Sequence, residues 1–299
     1  TVFAWGAVSN DKLGTVISSD VYTPAQVWKG ESDTDTWYLE NIIKISAGSE
    51  HSAVINNRNE VDTWGKNTNG QLGNGTTNNS TTPVRVRNQW MDGSDQLAIE
   101  ISAGGEHTVV VTKSGTVYAW GLDAEGQVGL GALVSGADKQ TSYLVPQQIA
   151  SGDSTSTDDL YFRDALTVSA GNAHVTLLKK DGSVWSWGRN NKGQLGQSTN
   201  GVNNTYKDMQ TPDRVLKGEY DTGNADDRYI KNVDALSAGE NFSVVTTRDR
   251  NVYAWGDNTY GQLGNDKTTA TISTPVHVKS SDGTYLTGIS MVSGGANHV

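Results

Sequence analysis

Four histidines, His51, His107, His174 and His298, occupy one recurring place, three residues after the glycine of a Ser-Ala-Gly or Ser-Gly-Gly segment. Imidazole is the commonest metal ligand, so the set invites a metal site. However, equivalent positions of successive repeats stand a sheet apart instead of around one ion, and Phe242 fills the place in another copy. Structural hydrogen bonding is therefore the expected role.

The two residues before that place differ from copy to copy: Ser49-Glu50, Gly105-Glu106, Asn172-Ala173, Glu240-Asn241 and Ala296-Asn297. Glu50, Glu106 and Glu240 are expected to form a partial acidic ring at an axial mouth, drawing a basic partner or a cation through its focused potential. Asn172 and Asn297 join them as candidate partner-binding residues.

Unequal inserts precede each Ser-Ala-Gly: KGESDTDTWYLEN from Lys29, NQWMDGSDQLAIE from Asn88, SGDSTSTDDLYFRD from Ser151 and KGEYDTGNADDRYIKN from Lys217. Their carboxylates make calcium the one cofactor to consider, although none has the spacing of an EF-hand loop. The aromatics among them, Trp37, Tyr38, Trp90 and Tyr161, are candidate interface anchors, because large amphipathic rings dominate binding energetics. Packing on a neighbouring sheet is the competing role for each.

Other chemistries find no footing in the sequence. Cysteine is absent, which removes disulfides, thiolate metal sites and a cysteine nucleophile. Neither a nucleophile motif nor a phosphate-cradling glycine loop occurs. A net charge of -10 has the wrong sign for phosphate neutralisation, so nucleic acid is not an expected partner. No apolar run reaches membrane-spanning length, so direct membrane insertion is not expected either.

The elements that must position these residues follow from a repeat. Trp-Gly recurs at Trp5, Trp64, Trp120, Trp187 and Trp255, and Ser-Ala-Gly or its variant advances with it. Two motifs moving in step define one structural unit of 56–68 residues. Residues before Trp-Gly alternate, as in Val117-Tyr118-Ala119-Trp120, and those after Ser-Ala-Gly are β-branched and apolar, as in His107–Val111. Turn signals such as Lys113-Ser114-Gly115 and Lys180-Asp181-Gly182 separate the two, which is the pattern of an antiparallel hairpin. A further extended segment beginning at Pro83 or Pro275 suits an edge strand.

Each unit thus reads as a sheet of three or four strands, and stacking such sheets about an axis yields an all-β propeller. Tryptophan is expected to fill the space between sheets. Asn-x-x-Gly (Asn67, Asn190, Asn258) is expected to form turns, and the following Gln71, Gln127, Gln194 and Gln262 to satisfy backbone groups between blades.

These motifs resemble those of the regulator of chromosome condensation family: Ser-Ala-Gly-x-x-His, Gly-x-Val-x-x-Trp-Gly, Asn-x-x-Gly-Gln-Leu-Gly and Pro-x-x-Val, spread over essentially the whole chain. Asp11-Lys12-Leu13-Gly14 and Gln127-Val128-Gly129 depart from the pattern without disturbing the fold. The repeat gives one propeller domain over residues 1–299, with about five copies at approximately 1–44, 45–100, 101–167, 168–235 and 236–291, where the resemblance implies a ring of commonly seven blades; a five-unit piece of a longer array is the alternative to a ring closed with five copies. Residues 292–299 are expected to complete the first blade, closing the ring by pairing N- and C-terminal strands.

Segment Gly283–Ile289 is similar to bacterial and archaeal surface members. The resulting expectation is a non-enzymatic interaction scaffold, a binding or adhesion module of an extracellular or cell-surface protein whose partner is a protein or a surface polymer. The alternatives are a structural subunit assembling with copies of itself and a guanine-nucleotide exchange factor for a small GTPase, the activity the resemblance implies first.

Overall fold

In a computed structural model of the chain, described over residues 1–15, 17, 19–30, 37–87, 96–134, 140–152, 160–197, 206–220, 227–267 and 269–299, all regular structure is β apart from two 3-10 turns. The chain divides into two compact units, Thr1–Ala124 with Ser135–Ile149, and Glu125–Val134 with Ala150–Val299.

In the first unit, β1 (Phe3–Gly6) pairs, among the described residues, only with β2 (Val21–Gln26). Two antiparallel four-stranded sheets follow: β3 (Ile42–Ala47), β4 (His51–Asn56), β5 (Val61–Gly65), β6 (Ser80–Arg85), and β7 (Ala98–Ala103), β8 (His107–Thr112), β9 (Val117–Leu122), β10 (Ser142–Gln148). The second unit repeats the plan in β11 (Ala165–Ala170), β12 (His174–Lys179), β13 (Val184–Gly188), β14 (Met209–Arg214), and in β15 (Val233–Ala238), β16 (Phe242–Thr247), β17 (Val252–Asp257), β18 (Thr271–His277). In every four-stranded sheet strand order equals sequence order.

The two middle strands carry the core. β8 and β16 are buried at all six positions, because both faces of the sheet are covered. The fourth strand is the edge, as its proline requires, but it begins before the proline: Pro83 is the fourth residue of β6, not its first. Between the two sheets of the first unit, Ala53, Ile55 and Val61 pack with Ile101, Ala103, Val110 and Trp120. Between those of the second, Leu178 and Val184 pack with Val233, Val245 and Trp255.

The expected joining of the two chain ends in one sheet is not observed. Among the described residues β1 has β2 as its only ladder partner, and residues 292–299 form no strand. In each complete sheet the Ser-Ala-Gly strand reaches the Trp-Gly strand through a six-residue strand that starts at the histidine position, as β4 and β8 do, and β1 has no such strand beside it among the described residues. Four four-stranded sheets and one two-stranded sheet are therefore present among the described residues, not five blades closed in a ring.

Candidate interaction surfaces

The repeated residues turn out to bind one sheet to the next. The indole Nε1 of Trp64 donates to the carbonyl of Lys12, Trp120 to that of Gln71, Trp187 to that of Gln127 and Trp255 to that of Gln194, each at 2.9 Å. The glutamine side chain acts locally instead. Its Oε1 accepts the amide two residues earlier, as Gln71 does from Asn69 and Gln194 from Lys192. It is thus the glutamine's main chain, not its side chain as expected, that serves the neighbouring sheet.

The loop holding that carbonyl is set by asparagine and glycine. Buried Asn67 accepts the amide of Leu72 at 2.9 Å, and Asn190 and Asn258 repeat the bond with Leu195 and Leu263. At Gly73, φ is +65° and a Cβ would stand 2.6 Å from the Trp120 Nε1, so only glycine allows the indole this close.

The histidines are structural where the contacts are visible. His51 Nε2 is 2.8 Å from Thr108 Oγ1, and His174 Nε2 is 3.1 Å from Ser243 Oγ, each pair joining neighbouring sheets of one unit. Burial lowers both pKa values to about 4, so both rings are neutral at pH 7. Gly171 explains the motif's fixed spacing: a Cβ there would lie 2.2 Å from the His174 ring. Phe242 is fully buried in the same place, and His298 is exposed. Among the described residues no three His, Asp or Glu side chains gather as a metal site.

The expected acidic residues divide into two kinds. Glu50 accepts from Asn10 Nδ2 at 2.9 Å and pairs with Lys12 at 3.1 Å. Chiefly the Asn10 bond, helped by Lys12, holds its carboxyl below the usual range. Glu106 pairs with Lys66 and accepts from Asn69 at 3.0 Å. Both therefore clamp their own repeat to the loop of the preceding one.

Glu240, in the second unit, is exposed, and its backbone links the stacked inner loops by accepting from Asn172 N and donating to Gly295 O. Asn297 is exposed beside a cleft of about 530 Å³ lined by Gln262, Leu263, Leu286 and Met291. In the same unit Glu125 meets Arg189 at 3.1 Å, while its hydrogen bond with Asp208 raises its pKa.

The inserts return to the sheet at one fixed point. Tyr38, Tyr161, Tyr229 and Tyr285 each form a single β-bridge, to Trp28, Ala150, Leu216 and Lys279. Tyr38 and Tyr161 are thus partly architectural, a role the unequal insert lengths hide in the sequence. Trp90 and most insert carboxylates considered for calcium lie outside the described residues.

Trp37 is different. It is 75% exposed, and its ring stands edge-on to Trp28 with centroids 6.0 Å apart, while Tyr38 meets Trp28 at 6.1 Å. Trp28 was not among the expected anchors. It occupies the place of Arg87, Ala150, Leu216 and Lys279 in other copies, so a comparison of unlike positions contains the signal.

The model of the RCC1-like domain matches residues 1–299. The chain belongs to the RCC1-like domain family. It is 28% identical over 268 residues to the ultraviolet-B receptor UVR8 of Arabidopsis thaliana, covering 88% of this chain and 50% of that protein. It is also 35% identical over 199 residues to the probable E3 ubiquitin-protein ligase HERC6 of Homo sapiens, covering 66% of this chain and 17% of that one.

Among solved structures, human WBSCR16 superposes with a TM-score of 0.72 at 19% identity, covering 99% of this chain and 65% of that one. Yeast RCC1 (Prp20), solved bound to Kap60, gives 0.68 at 21%, covering 98% and 60%. These likenesses bear out the propeller-type fold. The RCC1-like chain spans half or less of the length of these curated relatives.

Proposed function

We propose that the chain is a non-enzymatic protein-interaction scaffold that binds its partner through the unlike inserts, foremost through Trp28, Trp37 and Tyr38. The observation that carries this reading is Trp37: a large ring, 75% exposed, held edge-on against a second tryptophan. Such a surface offers contact area with little ordering cost on binding. The residues common to all repeats, in contrast, are occupied in holding sheets together, which leaves the differing positions for recognition.

The proposal extends to an extracellular or cell-surface location, which rests on the likeness of Gly283–Ile289 to surface members. Surface biotinylation of intact cells tests that part: labelling supports it, and a chain labelled only after lysis contradicts it.

A photo-crosslinking side chain at position 37 tests the binding surface. The expected result is one dominant protein adduct that Trp28→Ala weakens while the circular dichroism spectrum is unchanged. No adduct at position 37, or the same adduct from a probe at exposed Tyr260, contradicts the reading.

A further inference from the structure

The edge strand of each four-stranded sheet carries, opposite the Trp-Gly strand, a residue that changes between repeats. Arg85 stands opposite Asp62, Gln148 opposite Tyr118, Arg214 opposite Trp185 and His277 opposite Tyr253. In the sheet of β3 to β6 the arginine is neutralised within its own repeat: Arg85 pairs with Asp62 at 2.7 Å and with Glu60 at 2.8 Å. In the sheet of β11 to β14 the arginine is kept, but Trp185 and Ser183 fill the places of those two carboxylates.

What surrounds Arg214 instead is aromatic and cationic. Its guanidinium lies 4.4 Å from the centre of the Tyr229 ring, and that of Arg228 lies 5.6 Å from the same ring. Lys179 Nζ stands 5.1 Å from the Phe162 ring and 5.6 Å from that of Trp185, two rings packed edge-to-face at 5.3 Å. Arg228 is exposed, Lys179 and Arg214 are half-buried, and the Nε of Arg214 is buried without a hydrogen-bond partner. Arg228 precedes the bridging Tyr229 as Trp37 precedes Tyr38 and Leu160 precedes Tyr161, so one exposed position changes from aromatic to aliphatic to cationic between repeats.

The nearby carboxylates are engaged elsewhere. Asp181, which feels the charges of Lys179 and Arg214, accepts from the Ser183 amide at 2.9 Å and from its hydroxyl at 2.6 Å. Asp213 accepts the main-chain amide of Arg214 at 2.7 Å, and Asp227 pairs with Lys231. Among the described residues no carboxylate stands within ion-pair distance of Lys179, Arg214 or Arg228. A chain of net charge -10 thus holds a local surplus of positive charge on this strip.

We propose that Lys179, Arg214 and Arg228, steadied by Tyr229, Trp185 and Phe162, bind a short acidic segment of a partner protein. The rings hold the cations in place, and each guanidinium presents a fork of N–H donors that matches a carboxylate. A short segment is favoured over a long polyanion, because the net negative charge of the chain repels a polymer that runs beyond the strip. At close range, screening over about 8–10 Å leaves the field of the strip itself in control. The site uses none of Trp28, Trp37 or Tyr38 and stands or falls independently of that surface.

The probe is a hexaglutamate peptide, titrated into the isotope-labelled chain at low ionic strength and followed by backbone amide shifts. Saturable shifts confined to the surroundings of residues 179–185, 213–216 and 228–230 are expected, and they weaken as salt is raised. Arg214→Gln combined with Arg228→Gln is expected to reduce affinity at least about tenfold. Lys113→Gln combined with Arg248→Gln removes the same charge from exposed positions elsewhere and is expected to leave affinity within about twofold. Circular dichroism verifies the fold of both. Arg228→Gln alone, at an exposed position, is expected to cost about threefold and serves if the first pair fails to fold.

Absence of saturable shifts at millimolar peptide, or equal weakening in the two double variants, overturns the proposal. Hexametaphosphate binding the same residues more tightly than hexaglutamate assigns the strip to phosphate polyanions and likewise overturns it.

Discussion

His51 Nε2 lies 2.8 Å from Oγ1 of Thr108 in the next repeat, and that hydroxyl donates to the carbonyl of Gln71 at 2.9 Å. The same carbonyl receives the Trp120 indole at 2.9 Å. One buried polar chain therefore ties three repeat motifs together across two sheets. In the second unit His174, Ser243, Gln194 and Trp255 make the equivalent chain.

Burial keeps both imidazoles of these chains neutral. His51 and His174 fall from 6.5 to about 4 in the folded state through burial. Unfolded histidines gain protons near pH 6.5 and folded ones only near pH 4, so stability is complete above 6.5 and is lost as pH falls between these values. The loss at pH 5 is about 2 kcal/mol per histidine. His174→Phe, which copies Phe242, is expected to remove one share, and urea unfolding at pH 7.5 and pH 5 measures it. An undiminished loss in the variant contradicts the assignment.

Close approach of Trp120 to Gly73 sets a second expectation. Gly73→Ala combines φ of +65° with a Cβ 2.6 Å from the indole, and is expected to cost about 2–3 kcal/mol. Gly283→Ala, at φ +82° with open space around it, has only the backbone strain and is expected to cost about 1 kcal/mol. Denaturation midpoints of the two variants give the comparison, and equal losses would refute the steric explanation.

The Lys66–Glu106 pair clamps two repeats at partly exposed positions, 26% and 30% accessible. Solvent screening keeps its coupling to about 0.5–1 kcal/mol, and salt should reduce it further. A double-mutant cycle with Lys66→Met and Glu106→Gln, run at low and high salt, measures the coupling. A large, salt-insensitive value would show that the pair is more than an exposed clamp.

Much of the fold was legible because each repeat states it again. Trp-Gly and Ser-Ala-Gly keep phase, and all four complete sheets follow their order. The inward-facing tryptophan, the structural histidine and the Asn-x-x-Gly turn follow from residue type and position alone. Which atoms bridge the sheets was not legible, because Gln71 uses its carbonyl between sheets and its amide oxygen within its own loop.

The candidate surfaces were harder to read. A glutamate in a variable pair looks alike whether it meets a lysine, as Glu106 does, or faces solvent, as Glu240 does, since its partner comes from another repeat. The shared role of Tyr38, Tyr161, Tyr229 and Tyr285 is hidden by inserts of different length.

The central claim is that the Trp-Gly tryptophans of the four complete sheets are architecture, while Trp37 of the first insert forms recognition surface. The most direct test compares the unfolding free energies of Trp187→Ala and Trp37→Ala in urea. Trp187 is fully buried and hydrogen-bonded, so its loss is expected to cost about 3–5 kcal/mol. Trp37→Ala is expected to stay within about 0.5 kcal/mol of the parent chain. Comparable losses in the two variants would contradict the account.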